Sequence, residues 1–150
     1  MPKGVKKMKK VYLAGRIEDI TWEESSTWRK KVVDILDDTG IRCYNPCDHV
    51  PIELRNGVVS AQKVVEFNGL KGNEIFAQDI FHLRQCNIFL ANLKDVNTGT
   101  LVELGMAYIL GKLIIVFDVS HKLKLHPFIN QTANIIYDKL DDALDFIIRM

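Results

Sequence analysis

The sequence predicts an α/β domain: an open parallel sheet of about five strands with helices on both faces. Three observations carry this expectation. Short, continuous apolar runs recur along the chain, as strands buried on both faces do. Segments with helical spacing of apolar residues lie between them. A length of 150 residues with 47% hydrophobic and 26% charged residues suits one soluble domain.

The elements follow in order. "KVYLAG" (10–15) is an apolar run ended by glycine and reads as the first strand. In "TWRKKVVDILDDTG", Trp28, Val32, Ile35 and Leu36 mark one helical face, and Gly40 is the expected stop. "IRCYNP" (41–46) is a second strand closed by Asn-Pro. Residues 48–72 lack a clear period apart from a short helical stretch over 61–67, and so long a loop is usually functional or mobile. A helix over 73–86, a strand over 87–93 and a helix over 100–110 come next. "KLIIVF" (112–117) is the most hydrophobic strand, "ANIIYD" (133–138) the last, and "LDDALDFIIRM" a closing amphipathic helix. The expected strand order is the flavodoxin-like 2-1-3-4-5, in which ligands bind outside the carboxyl ends of the strands. Here those ends are Gly15-Arg16, Asn45-Pro46, residues 92–99 and Asp118.

A formal charge of +1 disfavours nucleic acid and membrane surfaces as partners. The lysines of residues 1–9 read as a flexible basic tail ahead of a single domain over 10–150. No apolar run approaches a membrane span, no signal peptide follows the basic start, and a cytoplasmic location is expected. Three cysteines without a secretory signal argue against a disulfide framework. Cys43, Cys47 and His49 could supply zinc ligands. Their spacing is not that of a zinc knuckle, however, and Cys43 falls in a strand, so no metal is expected.

Two acids stand out. Glu103 is the single charge in the apolar segment "TGTLVELGMAYIL". With Thr100 it has the form of a capping box, which would make it a helix cap in the first turn. Against that, Leu101, Val102, Leu104, Met106, Ala107, Tyr108, Ile109 and Leu110 make this helix apolar all round, hence buried in the domain or in a subunit interface. A carboxylate there has an adjustable pKa, and Gly99 and Gly105 permit close approach around it. Asp79 falls at about 40° on a helical wheel drawn from Ile75, inside the arc formed by Cys86, Leu83, Phe76 and Ile80. Such an acid either joins a structural hydrogen bond or marks a site. Phe81, at about 240°, points away from the arc.

Together, "KVYLAG", "AQDI", "GTLVELGMA" and "GKLIIVF" resemble the nucleoside 2-deoxyribosyltransferase family, over about residues 10–117. The resemblance implies the same flavodoxin-like sheet and an enzyme that cleaves the N-glycosidic bond of a 2'-deoxynucleoside by double displacement. It makes Glu103 the nucleophile, Tyr12 the residue that holds and tunes it, and Asp79 the general acid at the base. Taken as a strand residue alone, Tyr12 is equally a core aromatic. The expected substrate-binding residues are Gly15, Arg16, Asn97, Thr98, Gly99 and Asn130. The resemblance further implies that a neighbouring subunit helps complete the site, with "HPFINQ" supplying Phe128 and Asn130, and the apolar helix points to a homo-oligomer. The substrates are small molecules, a nucleoside or nucleotide and a free base, and no cofactor is expected.

One position departs from the family pattern. Where transferases often carry an acid six residues before the nucleophile, this chain has Asn97. A neutral residue there tolerates a 5'-phosphate better, and Arg16 could bind one, as in the family's branch of nucleotide N-glycosidases. Arg16 is also readable as a surface charge paired with Glu18 or Asp19. Three functions therefore stand: deoxyribosyl transfer between bases, hydrolysis of deoxynucleoside 5'-monophosphates, or nucleotide binding without catalysis.

Overall fold

The computed structural model describes residues 8–95 and 97–150. Five strands form one parallel sheet in the order β2-β1-β3-β4-β5, the expected 2-1-3-4-5. They are β1 (Lys10–Ala14), β2 (Arg42–Tyr44), β3 (Ile88–Asn92), β4 (Leu113–Phe117) and β5 (Ile135–Tyr137). In β1 and β3, Val11–Ala14 and Ile88–Ala91 are buried throughout, as strands covered on both faces must be.

Side chains alternate between two cores. Val11, Leu13, Ile88, Leu90 and Ile115 meet α1 (Trp22–Asp37) and α7 (Leu140–Arg149) through Val32, Leu36, Leu144 and Ile147. Tyr12, Ala14, Phe89, Ala91 and Val116 meet α3 (Gly72–Gln85) and α4 (Thr98–Ile109) through Ile80, Leu83, Leu104 and Ala107. The side chain of Tyr12 therefore lies on the sheet face that α3 and α4 cover.

Several boundaries differ from expectation, each for a local reason. Helix α1 starts at Trp22, five residues ahead of Thr27, because Thr21 and Glu24 form the capping pair: Thr21 Oγ1 accepts from the Glu24 N–H at 3.1 Å. Residues 48–72 are more ordered than their pattern suggests. They hold short 3₁₀ turns at Pro46–His49 and Ile52–Leu54, then α2 (Ala61–Asn68), capped by Ser60 and ended by Gly69 at φ 66°. This stretch is tied to the β1–α1 loop by Asp19 N–H to Val59 O (3.0 Å) and Trp22 N–H to Gly57 O (2.7 Å). Two short helices, α5 (His121–Lys124) and α6 (Pro127–Thr132), precede β5. On α3, Ile80 and Leu83 are buried as the wheel requires, but Phe76 is half exposed; Phe81 points out.

Of the basic tail, residues 1–7 lie outside the described residues. Lys9 is held to the domain, its Nζ donating to Ile147 O at 2.8 Å. No helix among the described residues is long and apolar enough to cross a membrane.

Candidate active site

A cleft of about 840 Å³ opens at the carboxyl ends of β1 and β3, walled on one side by the 46–72 segment. Asp79 from α3 and Glu103 from α4 both line it, together with Gly15, Asn97 and Gly99. Two acids that stood apart in the sequence thus share one cleft.

Helix α4 is built differently from the expected capping box. Its N-cap is Asn97, whose Oδ1 accepts from the Thr100 N–H at 3.1 Å. Thr100 is the third helical residue, so Glu103 lies in the second turn and caps nothing. Gly99 makes room for this arrangement, since a Cβ there would meet Asn97 Oδ1 at 3.2 Å. A Cβ at Gly105 would meet open space, so no close approach requires a glycine at that position. Gly15 is needed for packing: a Cβ would reach Trp28 Cζ2 at 3.0 Å.

Glu103 keeps some exposure as a residue, but its Oε2 is shut from solvent and has no hydrogen-bond partner among the described residues. Burial pushes its carboxyl up to about 7, and the charge of Asp79 adds to the rise. The nearby Tyr12 phenol and the Arg29 guanidinium pull the other way. The Tyr12 hydroxyl is also buried with no hydrogen-bond partner among the described residues, yet near enough to Glu103 for each to act on the other's pKa. Burial, and then the charge of Glu103, raise the phenol's pKa, so it stays protonated and able to donate.

Burial also raises Asp79, opposed by a hydrogen bond from Tyr44 and by His49 and His82. The Tyr44 hydroxyl donates to Asp79 Oδ1 at 2.9 Å and lies 2.8 Å from His49 Nε2. Arg29 is fully buried, donating to Ser25 O at 2.6 Å and Gly15 O at 2.8 Å, with Nε left without a partner.

The other expected residues lie away from the cleft in this single chain. Arg16 lines a separate depression with Asn92 and Asp118, and its Nε donates to Glu18 O at 2.9 Å. Thr98 is exposed at the start of α4. Asn130 is exposed on α6, donating to Lys124 O at 3.0 Å, and Phe128 is three-quarters exposed. Cys43, Cys47 and His49 diverge: the Cys47 thiol faces Ser25 O at 3.8 Å, while His49 faces Tyr44.

Sequence reasoning missed Arg29, Tyr44 and His49. For Arg29 a signal existed, a charge on the Val32–Leu36 face of its helix, the same anomaly that picked out Asp79. Tyr44 and His49 fell in a stretch weighed only for metal ligation.

Fold and cleft define an α/β domain with a cleft beyond its strand ends into which two carboxylates, Asp79 and Glu103, are brought. A model of the nucleoside 2-deoxyribosyltransferase family matches residues 11–128, most of the chain, and the chain belongs to that family. Among solved structures, a 2-deoxyribosyltransferase from Bacillus psychrosaccharolyticus is similar at 23% identity and a TM-score of 0.65, over 91% of this chain and 90% of that one. A conserved protein from Enterococcus faecalis V583 gives 14% and 0.68, over 95% and 99%. A 2-desoxiribosyltransferase from Leishmania mexicana gives 16% and 0.60, over 94% and 97%. At these identities the structural likeness speaks for the fold. Among curated proteins none matches the chain.

Proposed function

We propose that this protein cleaves the N-glycosidic bond of a 2'-deoxynucleoside with retention and passes the deoxyribosyl group to a second base. The observation that carries the reading is the buried, unpartnered Oε2 of Glu103 in a cleft it shares with Asp79. As the bond from C1' to the base nitrogen breaks, its electrons leave with the base. Asp79 gives its proton to a base nitrogen, without which the base is a poor leaving group. The ionised Glu103 stabilises the oxocarbenium-like sugar and closes on C1' as an ester. A second base then attacks C1' from the face the first one left, expelling the Glu103 carboxylate. The proton on the attacking nitrogen of the second base passes to Asp79, which restores the acid. Tyr12 steadies Glu103 as its charge changes.

A second reading is hydrolysis of deoxynucleoside 5'-monophosphates, with water in place of the second base. The neutral Asn97 favours it, since it sits in the cleft lining at the amino end of α4, where an acid would repel a phosphate. Arg16 would have to turn from Glu18 O to assist. A binding module without catalysis is the remaining alternative.

The test incubates the chain with a panel of deoxynucleosides and their 5'-monophosphates, with and without an added base, and separates products by chromatography. Release of base and formation of an exchanged nucleoside are expected. Free sugar or sugar phosphate alone would mean a hydrolase, and no released base from any member of the panel a binding module. Glu103→Ala should abolish turnover while leaving the chain folded.

A further inference from the structure

We propose that Tyr44, oriented by His49 and Gln78, holds Asp79 by Oδ1 and thereby keeps Oδ2 as the oxygen that delivers the proton to the departing base. This rests on the reading above, in which Asp79 is the general acid.

Hydrogen-bond bookkeeping gives the chain a direction. A phenol has one proton. At 2.9 Å Asp79 accepts it through Oδ1, as it does whether the carboxyl is ionised or protonated on Oδ2. Tyr44 must then accept from His49, whose Nε2 lies 2.8 Å from its oxygen, so Nε2 carries the hydrogen. In a neutral imidazole Nδ1 is then bare, and it faces Gln78 Nε2, a donor, at 3.4 Å. Amide, imidazole and phenol thus donate in one sense, ending on the Asp79 carboxyl group. The His49 backbone is tied in turn, its carbonyl accepting from Asn68 Nδ2 at 3.4 Å. The Tyr44 ring is fixed too. It is buried, stacks on His82 with centroids 4.1 Å apart, and packs on Tyr12 at 5.2 Å.

Oδ2 of Asp79 has no partner among the described residues, and Asp79, His49 and Gln78 all line the cleft. The proton that Oδ2 gives to the base leaves a negative charge on Asp79. The Tyr44 hydroxyl strengthens its bond to that charge as it forms, so it acts on the transition state more than on the bound substrate. Tyr44, His49 and Gln78 are positioning residues; none need touch the sugar.

The test follows a series of 2'-deoxynucleosides that the wild type turns over, ordered by the basicity of the departing base. Tyr44→Phe keeps the ring and removes the hydroxyl. Its kcat should fall by about 100-fold for the most basic leaving base, which needs the proton most, and by only about threefold for the most acidic. KM should hardly move. His49→Leu should show the same trend at smaller size, and His49→Gln, which keeps an N–H donor, should recover part of the loss. If Glu103→Ala abolishes turnover but Tyr44→Phe slows every substrate by one factor, or none, this inference fails and the function stands. If the wild type releases no base from any substrate, both fail.

Discussion

Glu103 carries the clearest physical consequence of the cleft's design. Its carboxyl is raised from an ordinary 4.5 to about 7, chiefly by burial. Between those values the folded chain holds a proton that the unfolded chain has released, so stability falls as pH rises through this interval. The loss attached to this residue is on the order of 3 kcal/mol from pH 5 to pH 8. Glu103→Gln keeps the shape and cannot ionise. Urea unfolding should therefore find the variant gaining on the wild type as pH rises; a gap that stays constant would mean that Glu103 is not held in a dry place. The two acids could be read in the sequence because each breaks an apolar pattern. Their partners could not: a hydrogen bond from Tyr44 to Asp79 spans 35 residues and depends on β2 lying beside β1.

Helix α4 shows how a cap can be misread at the level of an element. Both Asn97 and Thr100 are good N-cap residues, and the glutamate three places after Thr100 favours the later start. The chain takes the earlier one, and the extra turn frees Glu103 from capping. Asn97→Ala should cost about 1 kcal/mol in chemical denaturation. Asn97→Asp keeps the cap and adds a charge to the cleft lining. It should preserve stability and lower the rate on 5'-monophosphates relative to nucleosides. An unchanged ratio would place the 5' group elsewhere. The strands and the long helices were readable from their apolar periods. Helix α2 showed as a short helical stretch over 61–67, but the start of α1 and the helices α5 and α6 were obscured because helix ends and short helices rest on caps and tertiary ties more than on repeating pattern.

For the molecule as a whole, the sheet order followed from alternating strands and helices, since right-handed crossovers leave few arrangements. What a single chain leaves open is its outer face. On α4, Val102, Tyr108 and Ile109 are 46%, 53% and 82% exposed, so the helix that is apolar all round is only half covered within the domain. Light scattering should therefore find a dimer or larger assembly, and a monomer at working concentrations would contradict this. Such an assembly is also the setting in which Phe128 and Asn130, remote from their own chain's cleft, would serve a neighbour's. The central claim, that Glu103 takes the sugar covalently, is tested most directly by quenching the protein during turnover of a deoxynucleoside and mapping its peptides by mass. A single deoxyribosyl adduct on the peptide containing Glu103, absent from Glu103→Ala, is the expected result. Undiminished turnover by Glu103→Ala, or an adduct on another residue, would contradict it.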